Sequence, residues 1–159
     1  GVGTGSFSNA INYSITSPKS MTKGDFNLDG KMDLAVTNNS VTVLSGLGNG
    51  SFSSSVNYAA GLGPSAIISS DFNNDGKLDL ATTNSNSNNV SILIGYGNGT
   101  FSTAINYSTG NYPSSITAND FSNDGIVDIA VGNRNSNSIS VFIGSIVTKV
   151  LSFIKLYKF

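Results

Sequence analysis

Apolar residues in this chain come in short runs separated by Asn, Gly and Ser, with no long stretch of helical period. The middle of the chain shows the pattern best. Residues 64–71, 80–84, 90–94 and 101–107 are runs of β-branched, small apolar and aromatic residues, too short and too interrupted for helices. The polar tract 85–89 turns the second run into the third. Asn98-Gly99 turns the third into the fourth, and Asn49-Gly50 does the same one repeat earlier; both are type I′ hairpin signals. The pattern predicts four short antiparallel strands.

The same pattern recurs along the chain. Each of Pro18, Pro64 and Pro113 lies seven residues before an Asp that opens a nine-residue loop, and Met21, Ile67 and Ile116 lie four residues before it. The loops open at Asp25, Asp71 and Asp120, so the repeats are 46 and 49 residues long, with a three-residue deletion near Asn38-Asn39-Ser40. After each loop comes Asp-Leu-Ala or Asp-Ile-Ala, then in two repeats a Gly-rich run ending in Phe52 or Phe101. Residues 1–7 are a further copy of that run, so the chain starts inside a repeat. Four antiparallel strands about every 45 residues are the signature of a β-propeller blade. The expected fold is all-β: a partial or fragment propeller of about three repeats, with units near 1–45, 46–94 and 95–144 and a non-repeat tail at 145–159.

The loops carry the candidate chemistry. Their pattern is D-F-[NS]-x-D-G-x-x-D, at residues 25–33, 71–79 and 120–128. All nine acidic residues of the chain are Asp, and all occupy positions one, five and nine of these loops. Three carboxylates within nine residues repel one another unless a cation lies among them. With no His and no Cys, the ligands that favour zinc, copper or iron are missing. The hard oxygens that remain suit Ca²⁺. Gly30, Gly76 and Gly125 at position six fit a turn with positive φ, which would fold positions one, three, five and nine together. By analogy with the helix-loop-helix calcium loop, the position-seven carbonyl of Lys31, Lys77 or Ile126 would complete the shell. The EF-hand itself fits poorly, since no Glu stands at position twelve and β-formers follow at once.

Charge and composition narrow the function. The net charge is −1, and three bound Ca²⁺ ions would bring it to +5. No dense basic stripe points to nucleic acid. No run reaches the ~20 apolar residues of a transmembrane helix, and the lack of Cys removes any disulfide framework. A His- or Cys-based catalytic centre cannot be built. The Gly-rich runs lack G-K-[ST] and a following helix, so they read as hairpins rather than phosphate cradles. With no initiator Met and no signal peptide, the chain reads as a fragment or processed product.

D-F-N-x-D-G-x-x-D-L-A together with G-N-G-T-F resembles the FG-GAP/VCBS repeat, which builds the propeller head of integrin α subunits, some fungal lectins and many extracellular proteins. The resemblance covers residues 1 to about 144. It implies Ca²⁺, up to three ions, held in a hairpin loop between the first two strands of each blade. Carried over by position, the ligands are Asp25, Asn27, Asp29 and Asp33; Asp71, Asn73, Asp75 and Asp79; and Asp120, Ser122, Asp124 and Asp128. Ser122 departs from the pattern and supplies a weaker donor. The resemblance further implies a secreted or cell-surface module, non-catalytic, that binds a protein and serves adhesion. The alternatives are a lectin with sugar pockets between blades and an appendage of a larger secreted enzyme. Residues 7–13 match a fourth strand, and the last repeat lacks one, so these two are expected to pair, within the chain or between chains by self-association that completes the ring.

Two features stand outside the repeat chemistry. In the tail, Val147, Val150, Leu151, Ile154 and Tyr157 share a helical face, which offers an amphipathic cap, a membrane-surface helix or a partner-docking helix. The favoured alternatives are a non-native or frame-shifted tail, or a distorted last strand. Tyr13, Tyr58 and Tyr107 hold one repeat position, where contact between blades is preferred over sugar stacking. N-x-[ST] sequons occur at Asn12, Asn38, Asn49, Asn89, Asn98 and Asn106.

Overall fold

The computed structural model describes residues 5–147 and the strand residues 150–151 and 156–157. The strands are β1 (Ser20–Gly24), β2 (Asp33–Thr37), β3 (Val41–Gly46), β4 (Phe52–Tyr58), β5 (Pro64–Ser70), β6 (Asp79–Asn84), β7 (Asn89–Leu93), β8 (Ile105–Ser108), β9 (Pro113–Asn119), β10 (Asp128–Asn133), β11 (Ser138–Phe142), β12 (Ile146–Val147), β13 (Val150–Leu151) and β14 (Leu156–Tyr157). They form three four-stranded sheets, β1-β2-β3-β4, β5-β6-β7-β8 and β9-β10-β11-β14, plus the small hairpin β12-β13. All the pairings are antiparallel. Each sheet starts at or just after one of the three prolines, which suits Pro because the first strand of a sheet has a free edge. A sheet therefore ends with the Gly-rich run and its following strand, a phase set off from units counted from the Gly run.

The three sheets lie face to face in sequence order, with β1 beside β5 and β5 beside β9. The second sheet is covered on both faces, and β6 (DLATTN) is buried along its whole length. Period-two alternation explains how it serves two cores. Leu80 joins Phe26, Ala35, Val41, Val43, Ile67, Leu93 and Phe101 between the first and second sheets. Its neighbour Ala81 points the other way, into a core of Phe72, Val90, Ile92, Ile129, Val131 and Phe142 between the second and third. Among the described residues no fourth four-stranded sheet follows the third, and most of its first strand β9 is exposed, with Ile116 and Ala118 half-buried.

The joint between sheets has two recurring aromatic parts. Position two of the first two loops, Phe26 and Phe72, drives into the core beneath the next sheet, where both are essentially buried. Tyr58, at the end of the fourth strand β4, packs edge-on against Phe101 of the next sheet at 5.4 Å, and Tyr13, which precedes the first sheet and lies in no strand, packs the same way on Phe52 at 5.6 Å. Tyr107 has no third Gly-run Phe to meet and packs on Phe142 at 6.2 Å. The tyrosines serve the joints.

The tail differs from its helical reading. Ile146–Val147, Val150–Leu151 and Leu156–Tyr157 are strands, and Leu156–Tyr157 pairs with β11 at Phe142 and Val141, taking the fourth-strand place of the third sheet. A helical face through Val147, Val150, Leu151 and Tyr157 is excluded by those strands; Ile154 lies outside the described residues. The expected pairing of residues 7–13 with the last repeat is not made within the chain: among the described residues, 5–19 contain no strand.

Candidate metal-binding loops

Each D-F-[NS]-x-D-G-x-x-D loop joins the first two strands of its sheet: residues 25–32 between β1 and β2, 71–78 between β5 and β6, and 120–127 between β9 and β10. Gly30, Gly76 and Gly125 have φ of +79°, +82° and +84°. Position four is left-handed too, with Leu28, Asn74 and Asn123 all at φ +58°. Asn tolerates that conformation, and a Leu there is strained.

Positions one, three and five are drawn together by the backbone they share. The Asp29 N–H donates to Asp25 Oδ1 at 3.1 Å and to Asn27 Oδ1 at 3.0 Å, and the Gly30 N–H donates to Asp25 Oδ2 at 2.8 Å. The second loop repeats this: the Asp75 N–H reaches Asp71 and Asn73, both at 3.0 Å, and the Gly76 N–H reaches Asp71 at 2.7 Å. In the third loop the Asp124 N–H donates to Asp120 at 3.2 Å and the Gly125 N–H at 2.8 Å, while the Ser122 hydroxyl lies 3.4 Å from Asp120 Oδ1. The position-seven N–H of Lys31, Lys77 and Ile126 donates to the carboxylate of Asp29, Asp75 and Asp124. Lys31 and Lys77 also pair with these Asp residues through their ammonium groups, at 3.2 and 3.4 Å; Ile126 leaves the third loop without that partner charge.

Position nine is placed differently. Asp33, Asp79 and Asp128 are fully buried, and each staples two backbone segments. Oδ2 accepts the N–H of Phe26, Phe72 or Phe121 at 2.8–3.0 Å, closing the loop behind position two. Oδ1 accepts the N–H of Gly46, Gly95 or Gly144 at 2.7–2.8 Å, tying the loop to the end of the third strand. That glycine is obligatory for a steric reason. A Cβ on Gly46, Gly95 or Gly144 would meet the Met32, Leu78 or Val127 carbonyl oxygen at 2.0, 2.1 or 2.6 Å. Among the described residues, no group of three acidic side chains stands together as a metal-ligating cluster. The loops bring one, three and five together and direct nine into the core.

The electrostatics follow from this placement. Burial pushes the Asp79 carboxyl up to about 6; the N–H groups of Gly95 and Phe72 oppose the rise, and the charges of Asp75 and Asp71 add to it. Asp79 thus feels the carboxylates of its own loop. Asp29 is held below the usual carboxylate range, chiefly by the Lys31 N–H, and Asp120 chiefly by the Gly125 N–H.

A Ca²⁺ ion fits this donor set in kind. Every side-chain donor is oxygen. The loop carboxylate oxygens accept backbone N–H groups and keep lone pairs for a further partner. The buried Asp79 carboxylate is repelled by the charges of Asp75 and Asp71, which a cation in the loop would offset.

The strands also carry a polar ladder that the sequence pattern did not reveal. In the second sheet Asn84 Nδ2 donates to Ser91 Oγ, which donates to Asn106 Oδ1 at 2.6 Å. In the first, Asn38 Nδ2 donates to Thr42 Oγ1, which donates to Asn57 Oδ1 at 2.7 Å. The signal was present in the Asn-Tyr pairs 12–13, 57–58 and 106–107. The staple was signalled as well, by a Gly 13 residues after Asp33 and 16 residues after Asp79 and Asp128, the three-residue deletion of the first repeat making the difference.

The FG-GAP-like repeat model matches residues 25–82 and again 71–131, each match running from one loop through the next. The chain belongs to the FG-GAP-like repeat family. Comparison with curated proteins finds no match. Membership agrees with the all-β fold and with the loop's place between the first two strands of each sheet. Among the described residues, no helix is long and apolar enough to cross a membrane.

Proposed function

We infer that this FG-GAP-like chain is a non-catalytic, calcium-stabilised set of propeller blades that binds an extracellular protein, in the manner of an adhesion module. The observation that carries the calcium reading is the confinement of all nine acidic residues to three like-built loops. Asp25, Asn27, Asp29 and Asp33, with the Lys31 carbonyl, would hold one ion. Asp71, Asn73, Asp75 and Asp79 with the Lys77 carbonyl, and Asp120, Ser122, Asp124 and Asp128 with the Ile126 carbonyl, would hold two more. The ion would neutralise the loop carboxylates and tie the first hairpin of each sheet to its loop. FG-GAP-like repeats are typical of extracellular proteins, where calcium is plentiful enough for sites with Kd around 10⁻⁴–10⁻³ M.

Calcium that binds only the folded state stabilises it by mass action. At about ten times Kd each site contributes ~1.4 kcal/mol, so three sites contribute ~4 kcal/mol. For a domain of this size that is a rise in Tm of roughly 8–16 °C. Thermal melts followed by circular dichroism, in millimolar calcium and in EGTA, test this reading. An unchanged Tm after the loops are shown to be stripped rejects it.

A lectin is the second reading. It is favoured by a groove of about 410 Å³ between the first and second sheets, lined by Asn57, Tyr58, Phe101 and Asn106. Against it, the Tyr58 ring is engaged edge-on with Phe101, and its hydroxyl lies 3.4 Å from the Gly99 carbonyl oxygen. A glycan array probed in calcium separates the two readings: sugar binding lost in Asn57→Ala and Asn106→Ala supports the lectin.

A further inference from the structure

Residues 7–14, F-S-N-A-I-N-Y-S, match residues 101–108, F-S-T-A-I-N-Y-S, at every position but Asn9 against Thr103. The later copy ends in β8, the fourth strand of the second sheet. It pairs with β7 from Ile105 to Ser108, and Asn106 accepts the Ser91 hydroxyl. The earlier copy has the same side chains and lies in no strand, with Phe7 93% and Ile11 65% exposed. One part of its task is already done. Tyr13 is seated on Phe52 of the first sheet as Tyr58 is seated on Phe101 of the second.

The place this strand matches is on the third sheet. There, among the described residues, the fourth position is held by Leu156–Tyr157, paired at two residues, where β3–β4 pairs at five and β7–β8 at four. On β11, Ser140 stands where Ser91 stands on β7. Ser91 Oγ accepts from Asn84 and from the Gly61 N–H; Ser140 Oγ accepts from Asn133 and from the Gly110 N–H. Asn106 is the acceptor that Ser91 donates to, and its repeat equivalent for Ser140 is Asn12.

The two ends of the molecule match elsewhere too. Phe26 and Phe72 are 2% and 0% exposed beneath the following sheet, whereas Phe121 of the third loop is 47% exposed. At the other end, Met21 and Met32 of the first sheet are 63% and 58% exposed. They hold the positions of Ile67 and Leu78, which pack into the core under the first sheet. One end offers an uncovered plug and the other an uncovered socket. The joint they would form is made twice already within the chain.

We propose that two copies of this chain join head to tail, residues 7–14 of one copy adding as the fourth strand to β11 of the other while Phe121 of the second seats against Met21 and Met32 of the first. The added strand displaces Leu156–Tyr157 and extends the pairing along β11, a β-augmentation in which the ladder gives affinity and the Tyr and Asn positions give register. Made twice, the joint closes a two-fold pair of six sheets, within the four to eight blades of closed propellers. The inference rests on the sheet-to-sheet joint and not on calcium or ligand binding, so a failure of either leaves it standing.

Light scattering and sedimentation on the 159-residue chain test it, with two variants at positions exposed in the single copy. Ile11→Pro removes a ladder N–H from the added strand, and Phe121→Asp removes the plug. The wild-type chain is expected at twice the mass of one chain, and each variant alone at the mass of one, with far-UV circular dichroism unchanged. An equimolar mixture of the two variants retains one intact joint, the strand and socket of Phe121→Asp meeting the plug and edge of Ile11→Pro, and is expected to recover a two-chain species. Phe121→Ser replaces Phe121→Asp if the charge perturbs folding. A wild-type chain that stays single up to its solubility limit overturns the proposal. So does a dimer that survives both substitutions, or a variant mixture that stays single.

Discussion

The buried Asp staple allows a sharp test of what holds each loop. Asp79→Ala leaves the N–H groups of Phe72 and Gly95 without their acceptor, in a fully buried place where the present bonds are 3.0 and 2.8 Å. An unsatisfied buried donor costs about 1–3 kcal/mol, so the pair costs roughly 2–6 kcal/mol. Part of that is offset because the native carboxylate is itself under strain, its pKa pushed up to about 6 by burial and by Asp75 and Asp71. A net loss of about 3 kcal/mol is expected. Asp79→Asn keeps one acceptor oxygen and removes the charge, so about 1–2 kcal/mol is expected. Asp71→Ala serves as the control: its two bonds are exposed, and about 1 kcal/mol is expected. Urea unfolding followed by circular dichroism in EGTA measures all three without any metal contribution. Asp79→Ala within about 0.5 kcal/mol of wild type, or Asp71→Ala as costly as Asp79→Ala, would refute the staple.

Other consequences follow from single positions. Gly95→Ala places a Cβ 2.1 Å from the Leu78 carbonyl oxygen, which is backbone and cannot rotate away; a loss of more than about 2 kcal/mol in urea unfolding is expected. Phe72→Ala empties the core between the second and third sheets and should cost about 3–5 kcal/mol by the same measurement. Leu28→Asn relieves a left-handed Leu at an exposed loop position and should raise stability by roughly 0.5–1 kcal/mol, read as a rise in the urea midpoint.

Much of the fold was legible because the repeat wrote each element more than once. Strand breaks at the prolines and Asn-Gly turns, the position-six glycines with positive φ, and the Tyr contacts between sheets all follow from local chemistry. The loops were legible as a set, since no other use of Asp competes in this chain. What stayed hidden is what depends on packing between distant segments. Position nine reads like any other Asp of the loop, yet its carboxylate serves the N–H of position two and of a glycine at or just past the end of the third strand. Phe26 and Phe72 read as loop residues, and only the following sheet makes them core. Residues 146–157 share an apolar face when drawn as a helix, but an unfilled sheet edge competes for the same side chains, and Leu156–Tyr157 pairs there. Residues 7–14 show the reverse case: a strand sequence that pairs with no edge among the described residues of its own chain.

Calcium binding counted by equilibrium dialysis, with chelated protein as the reference, decides whether the three loops are metal sites. Three ions per chain are expected, falling to two in Asp71→Ala, with the loop carrying Ser122 the weakest of the three. No bound calcium at millimolar free ion would contradict the calcium reading and leave the nine aspartates as turn and staple residues only.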